Sequence, residues 1–372
     1  MKLIVSSSTL LKNLQKVSGV ISSNTVLPIL EDFLFDIKSS LLTVSATDLE
    51  TSISTSFEVQ AAEDFKIAIP AKILVNILKE LPEQPVTITF DELSFGVELT
   101  TDNGKYKLSG ENGEDFPKIP VEDEVQVIKM PASVLNNGIT KTLFAVSSDE
   151  LRPAMNGVFV QLNDSGITFV ATDAHKLVRF SRADIQTENP GSFIIPKKAL
   201  NQLKSIVPNN DTEISMSYNK DNVFFHVANV YLVCRLIDQR FPDYNNVIPK
   251  ENPNLLVISR EDLLGTLKRT TIFSNKTTNQ VVLKIVGNTL AISAQDLDFS
   301  NEASEQLSCE YTGEDLEIGF NSKFLIEMLN TISDQEIRIE LSTPTRAGIL
   351  KPQEQDEQED LLMLVMPVMI TK

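Results

Sequence analysis

Apolar positions along the chain follow two periods. In "IPAKILVNILKELP", from Ile69, the residues Leu74, Ile77, Leu78 and Leu81 recur at three- and four-residue steps, which gives a helix one apolar face. Phe33, Phe35 and Ile37 instead alternate with polar neighbours, as do Val86, Ile88 and Phe90, and this marks half-buried strands. The first period predicts six helices, over roughly 8–22, 70–81, 131–147, 196–207, 259–274 and 321–333. Strand runs between them are short, frequent and joined by turns, including an Asn-Gly hairpin tip at Asn103–Gly104. Antiparallel sheet is therefore favoured over βαβ winding, and the fold class is α+β.

The pattern then repeats. Helices open at "IPAKIL", "IPKKAL" and "FNSKFL", whose second residues Pro70, Pro196 and Asn321 lie 126 and 125 positions apart. Proline suits such an opening turn, where its missing N–H has no helical partner to lose. "LPILEDFLFDI" and "RPAMNGVFVQL" set Pro28 and Pro153 before a strand at a spacing of 125. Asp48 in "SATDLETSI", Asp173 in "VATDAHKLV" and Asp296 in "SAQDLDFSN" follow at 125 and 123. A fourth set, "SSSTLLKNLQKVSGVI", "PASVLNNGITKTLFAV" and "SREDLLGTLKRTTIFS", is helical and begins with Ser or Pro at a capping position. Four features in one order and one period make the chain a triplicated unit of about 124 residues. Connectors rich in Pro and charge, 113–126 and 238–253, lie near the boundaries and give domains over 1–122, 123–250 and 251–372.

Composition places this repeat in a soluble globular protein, with 42% hydrophobic and 23% charged residues. Two cysteines, Cys234 and Cys309, are too few for a disulfide framework and favour a reducing cytoplasm. "MKLIVSSSTLLKNLQ" lacks a signal-peptide pattern, and no apolar run approaches the roughly 18 residues that span a bilayer, so no membrane partner is expected. A net charge of −18 argues against a nucleic-acid partner only if it is spread evenly. It is not. The predicted helices carry twelve basic residues (Lys12, Lys16, Lys72, Lys79, Lys141, Lys197, Lys198, Lys204, Arg260, Lys268, Arg269 and Lys323) and four acidic ones. Their charge is +8, which leaves −26 on everything else. A basic helical surface on an acidic body fits sequence-independent contact with the phosphates of duplex DNA. It lacks the interleaved aromatics of a single-strand binder.

"VATDAHKL" places Asp173 two residues before His175, one of only two histidines. A carboxylate can orient an imidazole as a general base, but catalysis also needs a nucleophile or metal and a third group. The equivalent positions in the other copies are Glu50 and Asp298, so the histidine lies outside the repeat's framework and Asp173 reads as a turn acceptor. His226 reads as a strand histidine, and 351–361 as an exposed acidic loop. "QDLD" and "EDE" lack metal-ligand spacing, so the expectation is no catalytic residue, no metal and no cofactor.

The triplication, "LPIL" at 27–30, "ATDLE" at 46–50, "VATDAHKL" at 170–177, "FPDYNNVIP" at 241–249 and "VMPVM" at 365–369 resemble, in order and over the whole chain, the bacterial DNA polymerase III beta subunit family of sliding clamps. The resemblance implies a DNA clamp fold of three repeated domains, each with two helices on the inner ring surface and antiparallel sheets outside. It implies a homodimer ring around double-stranded DNA, loaded by a clamp loader complex, that tethers the DNA polymerase III catalytic subunit for processivity. Other polymerases and repair proteins would dock through short apolar motifs. The chain itself would be a non-catalytic subunit of a nucleotidyltransferase complex. DNA-facing positions implied are Lys12, Lys16, Asn24, Lys72, Lys79, Lys141, Asp149, Arg152, Lys197, Lys198, Lys204, Lys268 and Arg269. The implied peptide pocket comprises Met155, Thr172, His175, Lys176, Leu177, Pro242, Val247, Thr278, Asn321, Phe324, Met366, Pro367 and Val368. Thr278 stands where the family can carry an aromatic, and the tail "MPVMITK" replaces a more usual "MPMRL". The alternative is an acidic repeat scaffold that binds only proteins.

Overall fold

Three helix starts are set by side chains that accept the first free amides. Ser6 Oγ accepts the Thr9 amide at 3.2 Å, Ser259 Oγ that of Asp262 at 3.3 Å, and Asn321 Oδ1 that of Lys323 at 3.0 Å. The computed structural model describes every residue except 23–25, 188 and 371–372. Among the described residues the α-helices are α1 Ser7–Val17, α2 Ala71–Glu80, α3 Ala132–Thr142, α4 Lys197–Ile206, α5 Arg260–Thr270 and α6 Ser322–Thr331. Three are shorter than their periodicity predicts: α1, α3 and α5 pass into 3-10 turns at Ser18–Val20, Leu143–Ala145 and Thr271–Phe273. In α3 and α5 a threonine near the end spends its hydroxyl on the previous turn, Thr142 on Gly138 O at 2.6 Å and Thr270 on Thr266 O at 2.9 Å. The turns still bury Val20 and Ala145, so the apolar spacing outlasts the α-helix.

All strand pairing is antiparallel, in agreement with the α+β reading. One compact unit comprises 1–136 and 198–236. It holds a five-stranded sheet ending on Lys105–Ser109, and a nine-stranded sheet. In the nine-stranded sheet Thr51–Glu58 from the first repeat pairs with Val230–Arg235 from the second, Thr55 opposite Val230 and Thr51 opposite Cys234. The other unit comprises 137–197 and 237–372. Its nine-stranded sheet joins Lys176–Arg182 to Glu359–Val365 in the same way, Lys176 opposite Val365 and Arg182 opposite Glu359. A four-stranded sheet, with Asn301–Ser308 and Leu316–Asn321 at its edges, completes it. The units thus divide the central repeat instead of falling between repeats.

The Asn-Gly tip needs correction. Thr100 pairs with Lys105, and the Thr101 amide donates to Gly104 O at 2.9 Å, so the tip is Asp102–Asn103, one residue earlier than predicted. None of residues 102–104 takes the positive φ that a type I′ Asn-Gly tip requires.

Both connectors are packed down by a phenylalanine followed by proline, Phe116–Pro117 and Phe241–Pro242, 125 residues apart. Phe241 joins an apolar cluster with Val170, Leu177, Tyr244 and Leu364, and its ring stacks on Phe159 at 4.7 Å. Among the described residues Phe116 clusters with the smaller set Ile29, Leu34 and Ala68. Beside it the sheet face carries hydroxyl pairs, Ser45 with Ser54 at 2.8 Å and Thr43 with Ser56 at 2.9 Å. These leave a groove of about 630 Å³ under the connector. His226 lies on the strand Asn222–Val227 as expected, and its Nε2 sits 2.7 Å from Glu122 Oε1 of that connector.

Asp32 is a buried carboxylate on the strand Asp32–Lys38. It sits opposite Pro70, which has no amide hydrogen to offer, and is only 5% exposed. Its Oδ2 has no hydrogen-bond partner. Burial, then the charges of Glu111 and Glu31, push its carboxyl from 3.8 up to about 7. A folded-state pKa raised above the unfolded one favours folding at low pH. The penalty grows as pH rises through the window from about 4 to about 7 and is complete above it. Asp32→Asn should therefore raise the urea unfolding free energy more at pH 8 than at pH 5.5, by about 2 kcal/mol. An equal gain at both would show that ionisation is not the source of the penalty.

Candidate nucleic-acid interface and docking pocket

The helical cations divide into committed and free ones. Lys12, Lys72, Lys79, Lys204 and Lys268 are exposed and, among the described residues, make no ion pair. Lys16 donates to Asn229 Oδ1 at 2.9 Å and Asn13 Oδ1 at 3.3 Å, and partial burial with the nearby Lys12 charge lowers its pKa. Lys198 pairs with Asp48 while staying more than half exposed, and Lys197 reaches Val146 O at 3.4 Å. Arg269 grips Glu305 with two bonds of 2.9 and 2.6 Å, which raises the guanidinium pKa and lowers that of the carboxyl. Lys141 is largely buried, 2.8 Å from Glu359 and 4.3 Å over the Phe180 ring. Its charge serves the sheet behind it. Arg152 folds back on Asp149 at 3.3 Å. Asn24 lies outside the described residues. Arg260, basic in sequence, donates to Asp334 O at 2.9 Å and Leu329 O at 3.3 Å and thus ties α5 to the end of α6.

"VATDAHKL" forms a tight turn and not a catalytic pair. Asp173 Oδ1 accepts the His175 and Lys176 amides, both at 2.9 Å, and Ala174 holds φ +75°. Asp48 does the same for Glu50 at 3.0 Å and Thr51 at 2.6 Å, with Leu49 at φ +77°. Asp296 keeps one such bond, to the Asp298 amide at 3.2 Å. The side chain of His175 turns away and lies over Phe324, ring centroids 6.3 Å apart. Among the described residues no three His, Cys, Asp or Glu side chains are grouped to hold a metal.

Lys176 is the unusual member of this turn. Its side chain is 6% exposed, with Nζ 2.8 Å from Glu327 and 3.3 Å from Asp173, and it lies over the Phe324 ring at 4.4 Å. The Met366 amide donates to His175 O at 2.8 Å, and the Val368 amide to Gly319 O at 2.8 Å. The tail is thereby tied to the turn at Met366 and to the strand Leu316–Asn321 at Val368. Leu177 is buried within the apolar cluster around Phe241 and Tyr244, while Pro242 and Val247 stand exposed on the connector. Met155 ends the Pro153–Met155 turn, and its carbonyl accepts the Ser147 amide at 3.0 Å. Thr172 is committed inward, its hydroxyl donating to Lys176 O at 2.8 Å. Thr278 lines a separate groove with Ile370. The sequence reading missed Phe241, Tyr244, Phe159 and Glu327, which support these residues from behind. The 125-residue match of Phe116–Pro117 to Phe241–Pro242 was the available signal for the first of them.

Three models of one family match successive stretches of the chain: the N-terminal domain of the DNA polymerase III beta subunit over 1–120, its central domain over 129–243 and its C-terminal domain over 245–368. The chain belongs to the bacterial DNA polymerase III beta subunit family. It is 29% identical to the beta sliding clamp of Synechococcus elongatus over 367 residues, covering 95% of this chain and 96% of that protein. A Pseudomonas aeruginosa sliding clamp solved bound to griselimycin superposes with a TM-score of 0.94 at 28% identity, covering 100% of both chains. One from Bartonella birtlesii, also bound to griselimycin, gives 0.92 at 28% identity with the same coverage. The three-domain clamp fold is therefore that of this chain. No helix among the described residues is long and apolar enough to cross a membrane.

The Lys176 site has an asymmetric cost. Glu327→Ala leaves a buried ammonium with Asp173 alone and should cost about 1–3 kcal/mol. Lys176→Met removes the charge and keeps the stem's packing, so it should cost less. The protein lacks tryptophan, so circular dichroism in urea is the readout. The reverse order would contradict the pairing.

Proposed function

We propose that this chain is the processivity clamp of a bacterial replicative polymerase, a homodimeric ring that encloses duplex DNA and performs no chemistry itself. The observation that carries this reading is the charge partition, now with side chains attached. Free lysines on α1, α2, α4 and α5 rise from a body of strongly negative net charge. Diffuse cations on helices attract phosphates without reading bases, which suits sliding. A closed ring is retained by topology, so weak contacts suffice, and a tethered polymerase gains its advantage through effective concentration.

Dimer closure is supported by two free sheet edges. Lys105–Ser109, whose Lys105 and Lys107 both pair with Glu98, ends the five-stranded sheet, and Asn301–Ser308, whose Glu305 is held by Arg269, ends the four-stranded one. Exposed Ile272 and Phe299 flank the second edge. Two strand edges left unpaired among the described residues, one of them flanked by exposed apolar side chains, favour head-to-tail strand addition between copies. The tail, His175, Phe324 and the connector residues Pro242 and Val247 would receive short apolar motifs from the polymerase catalytic subunit, the clamp loader and repair proteins. We keep the division 1–122, 123–250 and 251–372 as the domain organisation, and a cytoplasmic location as the setting. The protein-only scaffold is disfavoured, because it gives no reason to keep acids off the helices.

Loaded on nicked circular DNA by a clamp loader, the protein should co-elute with the circle and be released when the circle is cut. Equal retention on linear DNA would defeat the ring. Reversing Lys12, Lys72 and Lys204 to Glu should lower loading severalfold at low salt, with the difference fading as salt rises and the circular dichroism spectrum unchanged. Unaltered loading would remove the helical face from DNA contact.

A further inference from the structure

We propose that the outer face of the four-stranded sheet carries an acidic extension of the docking pocket, which selects partner peptides that set a lysine or arginine beside their apolar anchors. This inference rests on the docking reading above. A groove of about 380 Å³ lies on this face, lined among others by Val282, Leu297, Ile370, Thr278, Asp298 and Glu302. Strand alternation builds it: Val281, Leu283 and Ile285 point into the core, so Val282 faces outward. Leu297 stands 69% exposed on the rim, an apolar side chain left to water.

Continuity with the pocket comes from the tail. The Val368–Gly319 bridge lays the chain end along the sheet edge, and a Cβ at Gly319 would sit 2.7 Å from Val368 O. Only glycine lets the tail lie so close, and it carries Ile370 from the docking residues into the groove. Thr278 fills less of this space than an aromatic would, which leaves the floor open.

The charge is one-sided. Among the described residues no lysine, arginine or histidine lines the groove. Some carboxylates of this unit are claimed by cations, Glu305 by Arg269 and Glu359 by Lys141 and Arg182, so they offer a ligand little charge. Asp298 has only the Asn275 amide at 3.5 Å, and Glu302 makes no ion pair among the described residues. Two unpaired carboxylates beside the apolar side chains of Val282, Leu297 and Ile370, in a lining that also carries Gln280, Ser293 and Gln295, complement an aliphatic side chain next to a cation. The edge pairing proposed for the dimer uses the backbone of Asn301–Ser308, whereas Glu302 projects from the sheet face into the groove.

The test is fluorescence anisotropy on the full chain. The probes are two labelled ten-residue peptides that share three large apolar anchors and differ in a flanking Lys-Lys or Gln-Gln pair. The lysine peptide should bind roughly tenfold tighter in low salt. Asp298→Asn with Glu302→Gln should abolish that preference and leave the glutamine peptide unchanged. Glu354→Gln with Glu357→Gln, on the exposed hairpin tip, should preserve the preference. Equal binding of both peptides overturns the extension alone. So does a preference that survives Asp298→Asn with Glu302→Gln, because it would then come from the general negative field. Failure of the glutamine peptide to bind, or its undiminished binding after deletion of 366–372, overturns the docking reading and the extension with it.

Discussion

The antiparallel ladder between strands of neighbouring repeats is the constraint on which the remaining structure depends. A strand at a sheet edge exposes a row of amides and carbonyls, and leaving such groups unpaired in a buried position costs on the order of 1–3 kcal/mol each. Thr51–Glu58 and Lys176–Arg182 would each be such an edge if their repeat stood alone. Val230–Arg235 and Glu359–Val365 close them. The consequence is two continuous nine-stranded sheets and compact units that cut across the sequence repeat. It also fixes the positions of the residues proposed for docking. Pairing Lys176 with Val365 brings the chain end to the turn at His175, and Met366 then meets His175 O directly.

The two seams are built alike and filled differently. Val170 and Leu177 of the second repeat correspond, 125 residues earlier, to Ser45 and Ser52. Around Phe241 the apolar pair supports a stacked aromatic core, whereas around Phe116 serine hydroxyls pair with one another and a groove stays open. One architecture thus presents a firm apolar platform at one seam and a polar channel at the other. The turn aspartates show the same economy: Asp48 and Asp173 make identical amide bonds, and only the second copy adds a histidine and a buried lysine.

Much of this was legible in the sequence because it depends on period. The six helices, the antiparallel strands, the threefold repeat and the turn role of Asp173 follow from spacings that backbone geometry enforces. What periodicity could not supply was the partner of each charge. Lys141 and Lys268 look alike on a helix, yet one is buried against Glu359 and Phe180 and the other is free, and the difference lies in a strand 218 residues away. The change from α-helix to 3-10 turn after Val17, Thr142 and Thr270 keeps the apolar spacing, so periodicity does not reveal it. Asn103–Gly104 failed because the hairpin register, set by Thr100 and Lys105, placed the tip one residue earlier.

The central claim is that these helices face duplex DNA from inside a closed ring of two chains. An electron cryomicroscopy map of the protein loaded on nicked circular DNA tests it most directly. The account predicts two copies of the 41.3 kDa chain joined head to tail, with Lys12, Lys72, Lys204 and Lys268 turned toward an enclosed duplex. A single copy, or DNA lying against an outer sheet face, would contradict it.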